Sequence, residues 1–189
     1  MRALVATTLV VLSLRSGGAA AAPPNPAIDM DGFVAIAKAA AVDRESRRVD
    51  EATFARMMQE PGTVVLDARS REAYDARHVA GAVSLSLPDF TAATLAHAIP
   101  DLATRVLIYC NNNFAGDPLA FPLKAPAASL NLSTFVALAA YGYRNVVELG
   151  PTADIVATSI PLVPPTRRGP GRARSEAIST GAPALSTPR

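Results

Sequence analysis

From Asp29 onward apolar residues return at turn spacing, at Phe33, Val34, Ile36, Ala37 and Ala40. That periodicity predicts a helix running up to a charged break at residues 43–48. Asp50 is placed to cap a second helix whose Phe54, Met57 and Met58 form an apolar stripe, until Pro61 and Gly62 stop it. The period then changes. Thr-Val-Val-Leu at residues 63–66 is a short β-branched run bounded by turn residues and charges, the pattern of a buried strand. A short polar helix is expected at residues 70–77 and an alternating strand at 82–87. Thr91 then caps a helix carrying Leu95, Ala98 and Ile99. The next strand is residues 106–109. A proline-punctuated loop at 114–126 leads into a helix at 129–141 with Leu132, Phe135, Val136 and Ala139 inward, and residues 145–149 form a last strand.

Strands separated by helices need crossover connections. The expected fold is therefore α/β, a largely parallel central sheet with helices on both faces. One folded unit is expected over residues 28–163, its first helix an N-terminal extension.

Residues 1–22 read as a signal peptide. Met1 and Arg2 form a charged start, residues 3–14 are apolar, and small residues with A-x-A triplets run to a cut near Ala21 or Ala22. The apolar stretch is too short to span a bilayer. A periplasmic or secreted protein is expected after cleavage, with no membrane span in the mature chain. Beyond Val163, proline, arginine, serine and small residues dominate, and residues 164–189 are expected to be a disordered tail.

Charge narrows the partners. Arg2 and Arg15 fall in the leader, and without them the 18 bases drop to the number of acids, 16. Those bases are unevenly placed, with Arg167, Arg168, Arg172, Arg174 and Arg189 gathered in the tail without interleaved aromatics, so no nucleic-acid face is expected. No metal or cofactor is expected, and the chain is expected to be a monomer.

The chain has one cysteine, Cys110, which cannot form an internal disulfide. Such a thiol is paired between chains, buried and inert, or reactive. Cys110 follows directly on a strand. In open parallel sheets ligands gather beyond the carboxyl ends of the strands, where backbone N–H groups converge and can hold a thiolate. That position makes Cys110 a candidate nucleophile.

Four segments together carry a family resemblance. "VVLDARS" at residues 64–70, "HVAGAVSLSLPDF" at 78–90, "VLIYC" at 106–110 and "AAYGYRNVVELG" at 139–150 resemble, in order, the motifs of the rhodanese-like domains. The chain is also similar to an exported bacterial branch with a CNNNF loop. The resemblance implies a sulfurtransferase or persulfide carrier. In it the Cys110 thiolate takes a sulfane sulfur from a donor such as thiosulfate, holds it as a persulfide, and passes it to a thiophilic acceptor, which can be a partner protein. It also implies that the loop amides of residues 111–115 cradle the persulfide.

Active members commonly carry an arginine or lysine in the loop after the cysteine and enter a helix at once. Here that loop reads Asn111, Asn112, Asn113, Phe114, Ala115, Gly116, without a cation. Its loss argues against the related arginine-dependent phosphatases, which need a bidentate clamp. Asparagine tolerates left-handed backbone and offers amide donors, so these residues are candidates for substrate binding, with Lys124 the nearby cation. Phe114, Phe121 and Leu123 either wall the pocket or pack the insert down. Asp67 and Arg69 are expected to form an internal structural pair, and His78 to fix the turn before Gly81. Two other readings are a non-catalytic binding module and an exported redox thiol.

Overall fold

Each central strand turns alternate side chains to opposite faces, and two apolar layers result. On β2 (Thr63–Asp67), β5 (Arg105–Tyr109) and β7 (Val146–Leu149), residues Val65, Leu107, Tyr109, Val147 and Leu149 face one layer. Leu66, Val106, Ile108 and Val146 face the other. The computed structural model describes residues 25–165. The expected signal peptide lies outside the described residues, as does the expected tail apart from Pro164 and Pro165.

Chain order runs α1 (Met30–Arg47), β1 (Arg48–Val49), α2 (Glu51–Met57), β2, α3 (Arg71–Ala76), β3 (His78–Val79) and β4 (Val83–Ser84). It continues with α4 (Ala92–Ala98), β5, β6 (Phe114–Ala115), α5 (Leu130–Ala140), β7, β8 (Ala153–Asp154) and β9 (Leu162–Val163). The central sheet is five-stranded, ordered β1-β7-β5-β2-β4, with every pairing parallel. One apolar layer holds Phe54 of α2, and the other holds Ala40 of α1, Leu95 of α4, and Phe135 and Leu138 of α5. The expected α/β fold, with helices on both faces of a parallel sheet, is the one observed.

Helix starts follow the caps in the sequence. Asp29, Asp50 and Ser70 each accept a backbone N–H from the first turn of α1, α2 and α3, and Thr91 forms a capping box with Thr94 on α4.

Three expectations are corrected. The charged stretch at 43–48 does not break α1, which continues through Arg47 because Arg44 has a buried partner on β7. The strand expected at 82–87 shrinks to Val83–Ser84, since the Leu85 and Leu87 amides still bond to the Asp67 and Ala68 carbonyls while the chain turns into a 3-10 helix at Leu87–Asp89. On α5 the fully buried residues are Asn131, Thr134, Phe135 and Leu138, whereas Leu132, Val136 and Ala139 are half-buried. The face is rotated because α5 packs on α1 as well as on the sheet.

Candidate functional site

Parallel pairing of β2, β4 and β5 brings their carboxyl ends to one edge, and Cys110 is the residue after β5. It caps a 3-10 helix, Asn111–Asn113, that starts at once, so the chain turns directly after the cysteine. The Asn112 N–H donates to the Cys110 Sγ at 3.4 Å, and the Ser129 hydroxyl lies 3.4 Å from the same sulfur. Cys110 is 1% exposed and free of disulfide. The Asn112 N–H thus donates to the sulfur, and the Ser129 hydroxyl stands within hydrogen-bond distance of it.

The three asparagines do different things. Asn113 is buried, with its Oδ1 accepting from the Cys110 N–H and the Asn131 Nδ2, both at 2.9 Å. Its Nδ2 donates to the carbonyls of Leu149 at 2.8 Å and Pro151 at 3.1 Å. Asn112 bonds to the backbone of Lys124. Asn111 makes no side-chain hydrogen bond among the described residues and lines a pocket of about 310 Å³. Arg69, Ser70, Ser86 and Lys124 supply the pocket's other polar and cationic groups, and Pro88, Pro122 and Leu130 are among its apolar walls. Cys110, the residue before Asn111, is not part of this lining.

Phe114, Ala115 and Gly116 point elsewhere. Phe114 is buried against Tyr109 and Phe121, with ring centroids 5.8 and 4.8 Å away. Ala115 pairs with Asp154 on β8. Gly116 has φ +100°, and a Cβ there would meet Ile155 at 3.0 Å, so this turn requires glycine. Phe121 thus packs the insert down, while Leu123 is exposed.

At the pocket wall, Arg69 donates to both oxygens of Asp67, Nε at 2.9 Å and Nη2 at 2.6 Å, and to the carbonyls of Ala120 and Arg77. Its guanidinium sits 4.5 Å from the Phe121 ring centre and 5.3 Å from that of Tyr109. Burial opposes the Arg69 charge, yet hydrogen bonding and attraction to Asp67 hold its pKa above the ordinary value. Burial, and then the Asp67 charge, push the Tyr109 phenol well up. Asp67 and Arg69 therefore tie the end of β2 to the insert. His78 stacks on Tyr74 with ring centres 3.7 Å apart, and its Nδ1 lies 2.8 Å from the Tyr74 carbonyl.

The sequence reading missed a second cation near the thiol. Arg44, from α1, makes a fork to Glu148 on β7, Nε to Oε2 at 2.6 Å and Nη2 to Oε1 at 2.8 Å. Asn131 on α5 donates its Nδ2 to Glu148 Oε1 at 3.2 Å as well as to Asn113. Lys124 is thus not the sole nearby cation. The available signal was Glu148 itself, a carboxylate inside a strand that is otherwise apolar. Among the described residues no cluster of His, Cys, Asp and Glu gathers to hold a metal ion, and no helix is long and apolar enough to cross a membrane.

A family model described as a rhodanese-like domain matches residues 50–149. Among solved structures the chain is similar to the rhodanese-like domain of the Alr3790 protein from Anabaena sp, at 18% identity and TM-score 0.43, covering 76% of this chain and 98% of that one. A protein of Bacillus halodurans, BH2092, aligns at 22% identity and TM-score 0.42, covering 61% and 74%. An E. coli structure titled "rhodanese with anions" aligns at 24% identity and TM-score 0.36, covering 54% and 98%. No curated protein matches the chain.

Proposed function

The chain belongs to the rhodanese-like domain family, and from that membership we propose that it moves sulfane sulfur through a persulfide on Cys110. The observation that carries this reading is the Cys110 sulfur at the end of β5, approached by the Asn112 N–H and the Ser129 hydroxyl beside a pocket lined by Asn111 and Lys124. The thiolate attacks the outer sulfur of the donor. A new S–S bond forms as the donor's own bond to that sulfur breaks, and the remainder of the donor leaves with the electron pair. A thiophilic acceptor then attacks the outer persulfide sulfur and returns the thiolate. Asn111 and Lys124 hold the anionic donor, and Asn112 and Ser129 support the sulfur charge.

The signal peptide read in residues 1–22, and the likeness of the CNNNF loop to an exported branch, support action in the periplasm or outside the cell.

Exposure to thiosulfate or another sulfane-sulfur donor adds one sulfur atom to Cys110, read by mass spectrometry, and Cys110→Ser abolishes it. No adduct with any donor overturns the proposal. One observation favours a second reading, a binding module: the cysteine is almost fully covered, and the insert is fastened by Lys124 to Asn112 in the turn that follows it. In that case Cys110→Ser leaves the cellular role intact. A Cys110-linked mixed disulfide with a partner, in place of the persulfide, would instead mark an exported redox thiol.

A further inference from the structure

Arg44 stands on α1, ahead of the residues that match the family model, yet its guanidinium reaches Glu148 on the last strand of the central sheet. Glu148 is in register with Ile108, two residues before Cys110 on the same face of the sheet, and is 6% exposed. A carboxylate so placed opposes a second negative charge on the thiol, and a cation paired with it offsets that opposition. Arg44 is that cation, in a two-bonded fork. The pair also reaches the loop through bonds. Asn131, 2% exposed, directs its Nδ2 to Glu148 Oε1 and to Asn113 Oδ1, and that same Oδ1 accepts the Cys110 N–H. The two acceptors fix which way the Asn131 amide points, since reversal would set oxygen against oxygen.

We propose that Arg44 is a positioning residue for Cys110, neutralising Glu148 next to the thiol and, through Glu148, Asn131 and Asn113, holding the loop that wraps the sulfur. It deepens the reading of Cys110 as the reacting thiol and assigns to α1 the charge that the loop lacks. The Arg44 pKa lies above its ordinary value, first through hydrogen bonding to Glu148 and against burial, with the Glu148 and Cys110 charges adding to the rise. The charged groups facing this region from neighbouring elements are few. Among the described residues they are Glu148 on β7, Arg44 on α1, the exposed Arg48 on β1 in register with Glu148, and, at the adjoining pocket, Lys124 and Arg69, the latter paired with Asp67 at the end of β2.

The test titrates the Cys110 thiolate in the full chain by ultraviolet absorbance, taken as a difference against Cys110→Ser, with iodoacetamide alkylation in parallel. Arg44→Met exposes the thiol to an uncompensated carboxylate and raises the midpoint by about one pH unit, roughly tenfold less thiolate at a pH below it. Glu148→Gln keeps an acceptor for Asn131 but leaves Arg44 uncompensated, and lowers the midpoint. The double variant returns close to the parent, and Arg44→Lys restores most of the effect. A pair that is only structural lowers the melting temperature without moving the midpoint, and that outcome, or displacement of both single variants in one direction, overturns the inference. Should Arg44→Met fail to fold, Glu148→Gln and the double variant decide it. The titration uses no sulfur donor. A parent that never loads sulfur while the midpoints split sinks the proposed function alone, and a parent that loads sulfur while the midpoints stay fixed sinks this inference alone.

Discussion

Asn112 and Lys124 exchange a reciprocal pair of hydrogen bonds. The Lys124 N–H donates to Asn112 Oδ1 at 2.9 Å, and Asn112 Nδ2 donates to the Lys124 carbonyl at 2.8 Å. Twelve residues apart in the chain, they fasten the proline-punctuated insert to the turn that follows Cys110. One amide side chain thus couples access to the sulfur with the position of Lys124 at the pocket.

Replacing Asn112 by alanine removes both bonds without touching the Asn112 N–H that meets the sulfur. The expected outcome is a severalfold faster alkylation of Cys110 by iodoacetamide, with a loss of about 1 kcal/mol in urea unfolding. An unchanged alkylation rate would mean that the insert is not what covers the thiol.

Arg69→Met tests the buried pair at the pocket wall. Arg69 and Asp67 are 2% and 0% exposed, and the substitution leaves the buried carboxylate with Tyr109 as its remaining side-chain partner. The Ala120 and Arg77 carbonyls lose their donor as well. Breaking one side of a buried pair costs about 3–5 kcal/mol, to be read in urea unfolding. Asp67→Asn combined with Arg69→Met recovers part of the loss, because no unpaired charge remains.

The elements that sequence made legible are those whose causes are local. Caps at Asp29, Asp50, Ser70 and Thr91, and the β-branched run of β2, depend on residues within a turn or two. The position of Cys110 at a strand end was legible for the same reason. The end of α1 was misjudged, since residues 43–48 look like a polar break until Arg44 is seen against Glu148, 104 residues away. A buried carboxylate in β7 demanded a cation, but nothing local chooses among Arg44, Arg47 and Arg48. The asparagine run posed the same difficulty. Three identical side chains face a neighbouring strand, an insert and a pocket, and the turn after Cys110 decides which faces which.

Acid should loosen the insert. Burial alone would raise the Asp117 carboxyl, but the Arg77 Nε at 2.9 Å and the Ala120 amide outweigh it, so its pKa is lowered. A carboxylate with a depressed folded pKa contributes stability that is fully present above its unfolded value, and that is lost as pH falls through the folded one. The stability difference between the parent and Asp117→Asn is therefore constant near neutrality and shrinks as pH drops below about 4. Urea unfolding of both proteins across that range measures it. A difference that grows on acidification would contradict the pairing.

Asn111 and Asn113 separate binding from architecture. The Asn113 side chain closes four hydrogen bonds, two of them to carbonyls beyond β7 or at its end, and alanine there leaves the Cys110 N–H, the Leu149 carbonyl and one Asn131 donor without partners. Each buried orphan costs about 1–3 kcal/mol, so Asn113→Ala should lose at least 2 kcal/mol, and with the loop released it should lose sulfur loading at Cys110 too. Asn111 offers its amide to the pocket and holds nothing else in place. Asn111→Ala should keep stability within about 1 kcal/mol of the parent, while raising KM for the sulfur donor severalfold with little change in kcat, the signature of lost ground-state binding. Paired urea unfolding and steady-state kinetics distinguish the two residues. If Asn111→Ala leaves KM unmoved, the pocket beside Cys110 is not where the donor is held.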